Sequence, residues 1–349
     1  MKVNKKIIGE LEKCYSLARL TYQNKEHFLV AAEKVDRCLL YDLSGNLEET
    51  VWKEPGGVMT MVQVPGTDGQ FLATRKFYSP NDSKEASIVV VTPRGKDDWE
   101  VRTLVDLPFV HRFDILQADG VNYLIACALK SGHEYKEDWR SPGQVFAAVL
   151  PEDLSAFNAD QQLPLTVLKS GMLKNHGYYR HQDGNGNTSS VVSCENGVFH
   201  FLPPQTAGGQ WQIEQLTGDA ASDGLLLDLN GDGEEELCTI APFHGDTINI
   251  YRKQEGKFVL DYTYPEKLEF LHAIFGGEIA GKPTWILGAR KGERLTLAFT
   301  YEAGKGYQAQ LLDKGCGAAN VLHYVYQDKD IVIATNREIN EIAMYELTK

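Results

Sequence analysis

The sequence predicts an all-β fold, a seven-bladed β-propeller, from three observations. Short runs rich in Val, Ile, Leu, Tyr and Phe alternate with Gly, Asp and Asn turns along the whole chain. Seven of these runs resemble one another: HFLVAAE, QFLATRK, NYLIACALK, SSVVSCE, EELCTIAPF, PTWILGARK and KDIVIATNRE. They recur about every 50 residues, each with one apolar run before it and one after it, which is the signature of a repeated four-stranded unit. Sustained helical periodicity is almost absent; residues 152–162, EDLSAFNADQQ, read as one short inserted helix.

The register supports the repeat. The innermost strands are expected to start at Cys14, Gly57, His111, His176, Asp223, His272 and Asn320. The second strands are expected to end at Glu33, Arg75, Lys130, Glu195, His244, Arg290 and Arg337. Start and end are separated by 17 to 21 residues in every repeat. One domain, 1–349, then divides into blades at 13–56, 57–108, 109–174, 175–220, 221–267, 268–315 and 316–349 plus 2–12. The last repeat has only three strands of its own. Residues 2–12 supply the fourth, closing the ring and pairing an otherwise open edge.

Composition bounds the function. Of 349 residues, 43% are hydrophobic and 24% charged, a globular balance. The net charge of −13 argues against nucleic acid and anionic membrane as partners, because both are held by clustered Lys and Arg. No apolar run reaches the length of a membrane span, and the N-terminus lacks the pattern of a secretion signal. The six cysteines are dispersed and read as reduced core thiols, so a cytoplasmic location is expected.

In a propeller, the loops entering the inner strands and those leaving the second strands open on one face. Four of the nine histidines, His111, His176, His244 and His272, fall in these positions. His111, His176 and His272 share one repeat position and are the expected ligands of a transition metal, Zn, Mn or Fe. His244 is a fourth ligand or a general base, with Lys291 and Tyr179 as further proton-moving candidates. Arg75, Lys130, Arg290, Arg337, Asp223 and Asn320 are the candidate substrate contacts, since guanidinium forks suit oxygen-rich ligands. Asp246 and Glu338 are expected to orient the His and Arg side chains. The plainer reading of the same residues is inter-blade hydrogen bonding.

A second motif is local. Residues 228–236 read DLNGDGEEE, placing Asp228, Asn230, Asp232 and Glu236 at the alternating oxygen positions of a cation loop. It resembles the D-x-[DN]-x-DG-x-x-[DE] loop of FG-GAP/VCBS-type propellers, which implies a structural Ca²⁺. An empty Asx-rich turn fits the same residues. Residues 183–187, DGNGN, are a degenerate copy one blade earlier.

The series VHRFD, KNHGYY, SDGLLLDLNGDGEEEL, PFHGD, LHAIFGG, GARKGE and NREINE, within 109–349, resembles the propeller part of the aldos-2-ulose and anhydrofructose dehydratases. Enzymes of that group carry cupin domains after the propeller, and the resemblance extends to the propeller alone. It implies a metal-assisted lyase, dehydratase or isomerase acting on a sugar or keto-sugar, with a small carbohydrate as partner. The alternatives are a non-catalytic glycan- or protein-binding propeller, and a subunit serving a catalytic partner or a homodimer.

Overall fold

A computed structural model describes residues 1–349. Strand β1 (Lys2–Glu10) is followed by six blades of four consecutive strands. Blade 1 is β2 to β5 (Cys14–Tyr22, Lys25–Ala32, Cys38–Asp42, Leu47–Trp52). Blade 2 is β6 to β9 (Met61–Gln63, Phe71–Arg75, Ser87–Gly95, Asp98–Asp106). Blade 3 is β10 to β13 (Val110–Ala118, Val121–Lys130, Pro142–Val149, Thr166–Met172). Blade 4 is β14 to β17 (Gly177–Gln182, Thr188–Cys194, Gly197–Leu202, Gln212–Thr217). Blade 5 is β18 to β21 (Asp223–Leu227, Glu236–Ala241, Thr247–Gln254, Lys257–Thr263). Blade 6 is β22 to β25 (Leu271–Ile279, Lys282–Ala289, Thr296–Glu302, Gly306–Asp313). Blade 7 is β26 to β28 (Asn320–Tyr326, Lys329–Asn336, Glu341–Thr348), with β1 as its outer strand.

The ring closes through β1 and β28, antiparallel from Lys2 opposite Thr348 to Glu10 opposite Glu341. The chain ends thus pair with each other and no open edge remains at the junction. The second strand of every blade is buried nearly end to end, because both its faces pack against neighbouring blades. Apolar layers between blades hold the ring together, with Trp285, Phe299, Ile250 and Leu271 in one of them. All six cysteines are buried free thiols within or beside these layers.

The only helical element is one 3-10 turn, Arg337–Ile339. The helix expected at 152–162 does not form. Asp153 accepts from the Ser155 amide and hydroxyl, and Asn158 accepts from the amides of Asp160 and Gln161. The carbonyls of Leu154, Ser155 and Phe157 all receive the Arg102 guanidinium at 3.3, 2.9 and 2.8 Å. Side-chain oxygens and a remote cation therefore take the backbone groups that a helix needs for itself.

The inner strands start at the channel mouth. In β2 and β10 a β-bulge falls on Tyr15 and on His111, turning those side chains toward the mouth. Gly57 has φ +74, and a Cβ there would lie 2.4 Å from the Phe77 amide nitrogen, so blade 2 brings no side chain at that position. No helix is long and apolar enough to cross a membrane.

Candidate functional site

The mouth gathers histidines from different blades. One ring nitrogen each from His176, His244 and His272 lie within 4.8 Å of one another. His176 and His244 approach Nε2 to Nε2 at 3.1 Å. His176 and His272 are buried, and His244 is half-buried. His244 sits between Phe243 and Phe270, whose ring centroids are 4.1 and 4.3 Å from its own, near parallel on both sides. The two aromatic faces fix its plane.

The remaining nitrogens are held. His176 Nδ1 faces the Ser222 carbonyl at 3.2 Å and the Asp223 carboxylate at 3.2 Å. His272 Nδ1 faces the Ala319 carbonyl at 2.5 Å. Nδ1 of His272 also receives the Ala273 amide at 2.9 Å. For His176 the carbonyl only accepts, so Nδ1 carries the proton and Nε2 turns its lone pair to the mouth. This is the arrangement that orients metal-binding imidazoles in general. Nε2 of His272 receives the Tyr15 hydroxyl at 3.0 Å, and Tyr15 in turn accepts from Arg112 at 3.3 Å.

Burial and cationic neighbours keep His272, His244 and His111 neutral. His272 is held well below the usual imidazole range by burial first, then by Arg290 and His176. His244 is lowered the same way, by burial and then by His176, Arg290 and Lys291. His111 is lowered by burial, His176 and Arg112. Neutral imidazoles are the form that binds Zn²⁺, Mn²⁺ or Fe²⁺. Zn–N bonds of about 2.0–2.1 Å put the nitrogens of a tetrahedral site roughly 3.3 Å apart, so the His176–His244 pair already has ligand spacing.

The metal-capable set differs from the expected one in a single member. His244 belongs to it and His111 does not. His111 stacks on His176, with ring centroids 4.5 Å apart, and points Nδ1 at the His176 carbonyl at 3.2 Å. It supports the His176 backbone instead of converging with the three nitrogens.

A cavity of about 220 Å³ opens over the histidines, bordered by Tyr15, Glu33, Lys34, Phe270, Arg290 and Arg337. Arg290 donates to Glu338 at 3.0 and 2.6 Å, and Arg337 donates to Glu338 at 2.9 Å and to Glu33. This chain of alternating charge makes a rigid polar rim. Asn320 donates to the Tyr15 carbonyl at 2.9 Å, and Asp223 backs His176.

Five other expectations land elsewhere. Lys130 is buried away from the cavity, donating to Asn81 and to the Asp138 carbonyl at 2.8 Å each and lying over Trp139. It pins the 131–141 insertion. Arg75 lies over the Trp52 ring and outside the mouth. Tyr179 lines the channel interior, locked to Gly276 by two hydrogen bonds of 2.8 Å. Lys291 is exposed and rests on Phe270. Asp246 pairs with Lys267 and Thr247 and leaves the histidines alone.

Sequence reasoning missed Tyr15 and passed over Arg112. Tyr15 is the bulged residue of blade 1, as His111 is of blade 3. Aligning bulges, instead of the Cys14 start, would have found it. Arg112 donates to the Met59 carbonyl, Tyr15 and Asn320, all neutral, and so brings an uncompensated cation beneath the histidines.

The loop 228–236 closes on itself. Asp228 accepts from the amides of Gly231, Asp232 and Gly233 at 2.8, 3.1 and 3.0 Å. Glu236 accepts from the amides of Leu229 and Asn230 at 2.8 and 3.3 Å. Arg252 pairs with Asp232 and lies 3.7 Å from Glu236. The oxygens proposed for Ca²⁺ are occupied by backbone donors and a guanidinium, which fits the Asx-turn alternative.

No protein-family model and no curated protein sequence matches the chain. Solved structures show the fold. The β-propeller domain of Cps50 (Swd1) from Myceliophteria thermophila superposes with a TM-score of 0.58 at 11% identity, covering 99% of this chain and 100% of that one. A streptogramin B lyase gives 0.57 at 13% identity, covering 98% and 97%. A glucose dehydrogenase gives 0.51 at 13% identity, covering 99% of each. Such identities establish a shared propeller architecture and carry no residue roles.

Proposed function

We propose that the mouth holds one divalent transition metal on His176, His244 and His272, and that the protein is a metal-assisted lyase or isomerase of a small sugar or keto-sugar. One observation carries this reading. Three imidazoles from blades 4, 5 and 6 bring their nitrogens within 4.8 Å, with the opposite nitrogens of His176 and His272 pinned by backbone carbonyls.

A divalent metal held by His176, His244 and His272 would supply Lewis-acid polarisation of a substrate oxygen. The protein supplies the rest. Burial raises the Tyr15 hydroxyl above its usual range, keeping it a proton donor beside the site, suited to protonate a departing hydroxide. Glu33 is the carboxylate on the cavity wall and the candidate base for an α-proton. Arg290 and Arg337, braced by Glu338, orient ligand oxygens. The cavity size suits a single sugar unit. Propellers of this architecture include proteins named as a lyase and as a glucose dehydrogenase, so the fold accommodates both kinds of chemistry.

The test is elemental analysis of protein purified without chelator or affinity metal, wild type against His176→Ala. About one transition metal per chain in wild type and none in the variant supports the reading, and keto-sugars are then screened for elimination products. No metal in either after reconstitution overturns it and leaves a non-catalytic binding propeller.

A further inference from the structure

We infer that the protein carries a second, hydrolytic site at the opposite end of blade 4, with Ser189 as an activated nucleophile for small polar esters. His181 and Ser189 face each other across β14 and β15. His200 pairs with Val191, two residues along the same face of β15. The three side chains therefore share one surface of the blade.

Their hydrogen bonds form a directed line. Glu235 Oε1 lies 2.8 Å from His181 Nε2. His181 Nδ1 lies 3.2 Å from Ser189 Oγ, and Oγ lies 2.7 Å from His200 Nε2. A carboxylate only accepts, so Nε2 of His181 carries a proton and Nδ1 offers a lone pair. Ser189 then donates to His181 and accepts from the Nε2–H of His200. The acid, base and hydroxyl occupy the roles of a nucleophilic triad, which is recognised by geometry and not by sequence order. The added imidazole stabilises the alkoxide as it forms. Burial holds His200 down at about 4, next to His181, so it stays a neutral donor.

The site has room for a substrate. Ser189, His181 and His200 line a cleft of about 610 Å³ with Asn187, Gln205, Gln210 and Gln212, whose carboxamides carry N–H donors for a carbonyl oxygen. On the other side of the two histidines, Glu235 lines a second cleft of about 580 Å³. The arrangement also gives both Asx loops a use. The 183–187 loop borders the first cleft, and the 228–236 loop of the next blade presents Glu235.

In the reaction, Ser189 Oγ bonds to the ester carbonyl carbon as its proton passes to His181 Nδ1. The bond from that carbon to the leaving oxygen then breaks, and His181 returns the proton to the departing alkoxide. Water reverses the sequence, releasing the acid and the free serine. Atoms and charge balance with water as the sole co-reactant.

The test treats the full-length protein with a fluorophosphonate and maps the modified peptide by mass, alongside hydrolysis of p-nitrophenyl acetate. Ser189 is expected to be labelled, with labelling and turnover lost in Ser189→Ala. Glu235 is exposed, so Glu235→Gln folds normally, and it is expected to slow both at least ~10-fold, the range contributed by a positioned acid–base partner. EDTA leaves both unchanged, so the outcome is separate from the metal test at the mouth. Absence of Ser189 labelling, or equal hydrolysis by wild type, Ser189→Ala and Glu235→Gln, overturns the inference.

Discussion

The histidine mouth and the 228–236 loop stand at opposite ends of the channel and treat their polar atoms in opposite ways. In the loop, the donors and acceptors lie within a few residues of each other. Asp228 and Glu236 are satisfied by the loop's own amides. At the mouth, the groups come from separate blades, and the nitrogens of three rings point at one another. The loop has the stronger sequence motif and the more complete internal hydrogen bonding. The mouth has no local motif, and its imidazole nitrogens meet one another and the Tyr15 hydroxyl. A local cluster of ligand-type residues can be a turn that satisfies itself; a convergence of groups distant in sequence is better evidence of a site.

The largest effect that sharpens this comparison is at the mouth. His272→Ala is expected to weaken Zn²⁺ binding at least ~100-fold, measured by competition with a chromophoric chelator; loss of a ligand costs more than the 10–100-fold typical of an outer partner. Affinity unchanged by the substitution would dissolve the contrast.

Acid is the next lever. His111, His244 and His272 hold protons less readily in the folded chain than in the unfolded one. Their contribution to stability is therefore full above the ordinary imidazole value of 6.5 and is lost as pH falls below it. The melting temperature of metal-free protein should drop between pH 7 and pH 5, with a shallower slope in His244→Gln. A flat profile would mean that these rings titrate normally.

The loop should respond to hydrogen-bond loss and not to calcium. Glu236→Ala leaves the amides of Leu229 and Asn230 without their acceptor, at a cost of about 1–3 kcal/mol in urea unfolding. Added Ca²⁺ should leave the wild-type melting temperature where EDTA leaves it. A calcium-dependent rise would return the loop to the cation-binding reading.

Two lysines give the smaller effects. Lys130→Met breaks the fastener of the 131–141 segment and should cost about 1–3 kcal/mol, with metal stoichiometry intact. Lys291→Ala should change stability by no more than about 0.5 kcal/mol and leave metal binding as it is, since its ammonium is exposed.

What the sequence made legible follows from the same contrast. Strand starts at Cys14, Asp223 and Asn320 coincide with the observed ones, because a buried strand between turn residues is written locally and repeated seven times. The closing β1–β28 pair was legible for a related reason: the seventh repeat lacked a strand and residues 2–12 had one to give. The 152–162 segment was misread because its backbone partners come from Arg102, some fifty residues away, which no local pattern encodes. At the mouth, symmetry identified four histidines but not their directions. A bulge sets where His111 points, and two flanking phenylalanines set where His244 points. Lys130 shared its repeat position with the rim residues, yet an insertion unique to blade 3 folded over it.

The most direct test separates the ring position that repeats from the geometry that converges. Co²⁺ is titrated into chelator-stripped His244→Ala and His111→Ala, with the visible d–d absorption and the stoichiometry as readouts. The account predicts that His111→Ala retains one tightly bound ion and the wild-type spectrum, while His244→Ala loses both. Retention of the ion by His244→Ala and its loss in His111→Ala would contradict it.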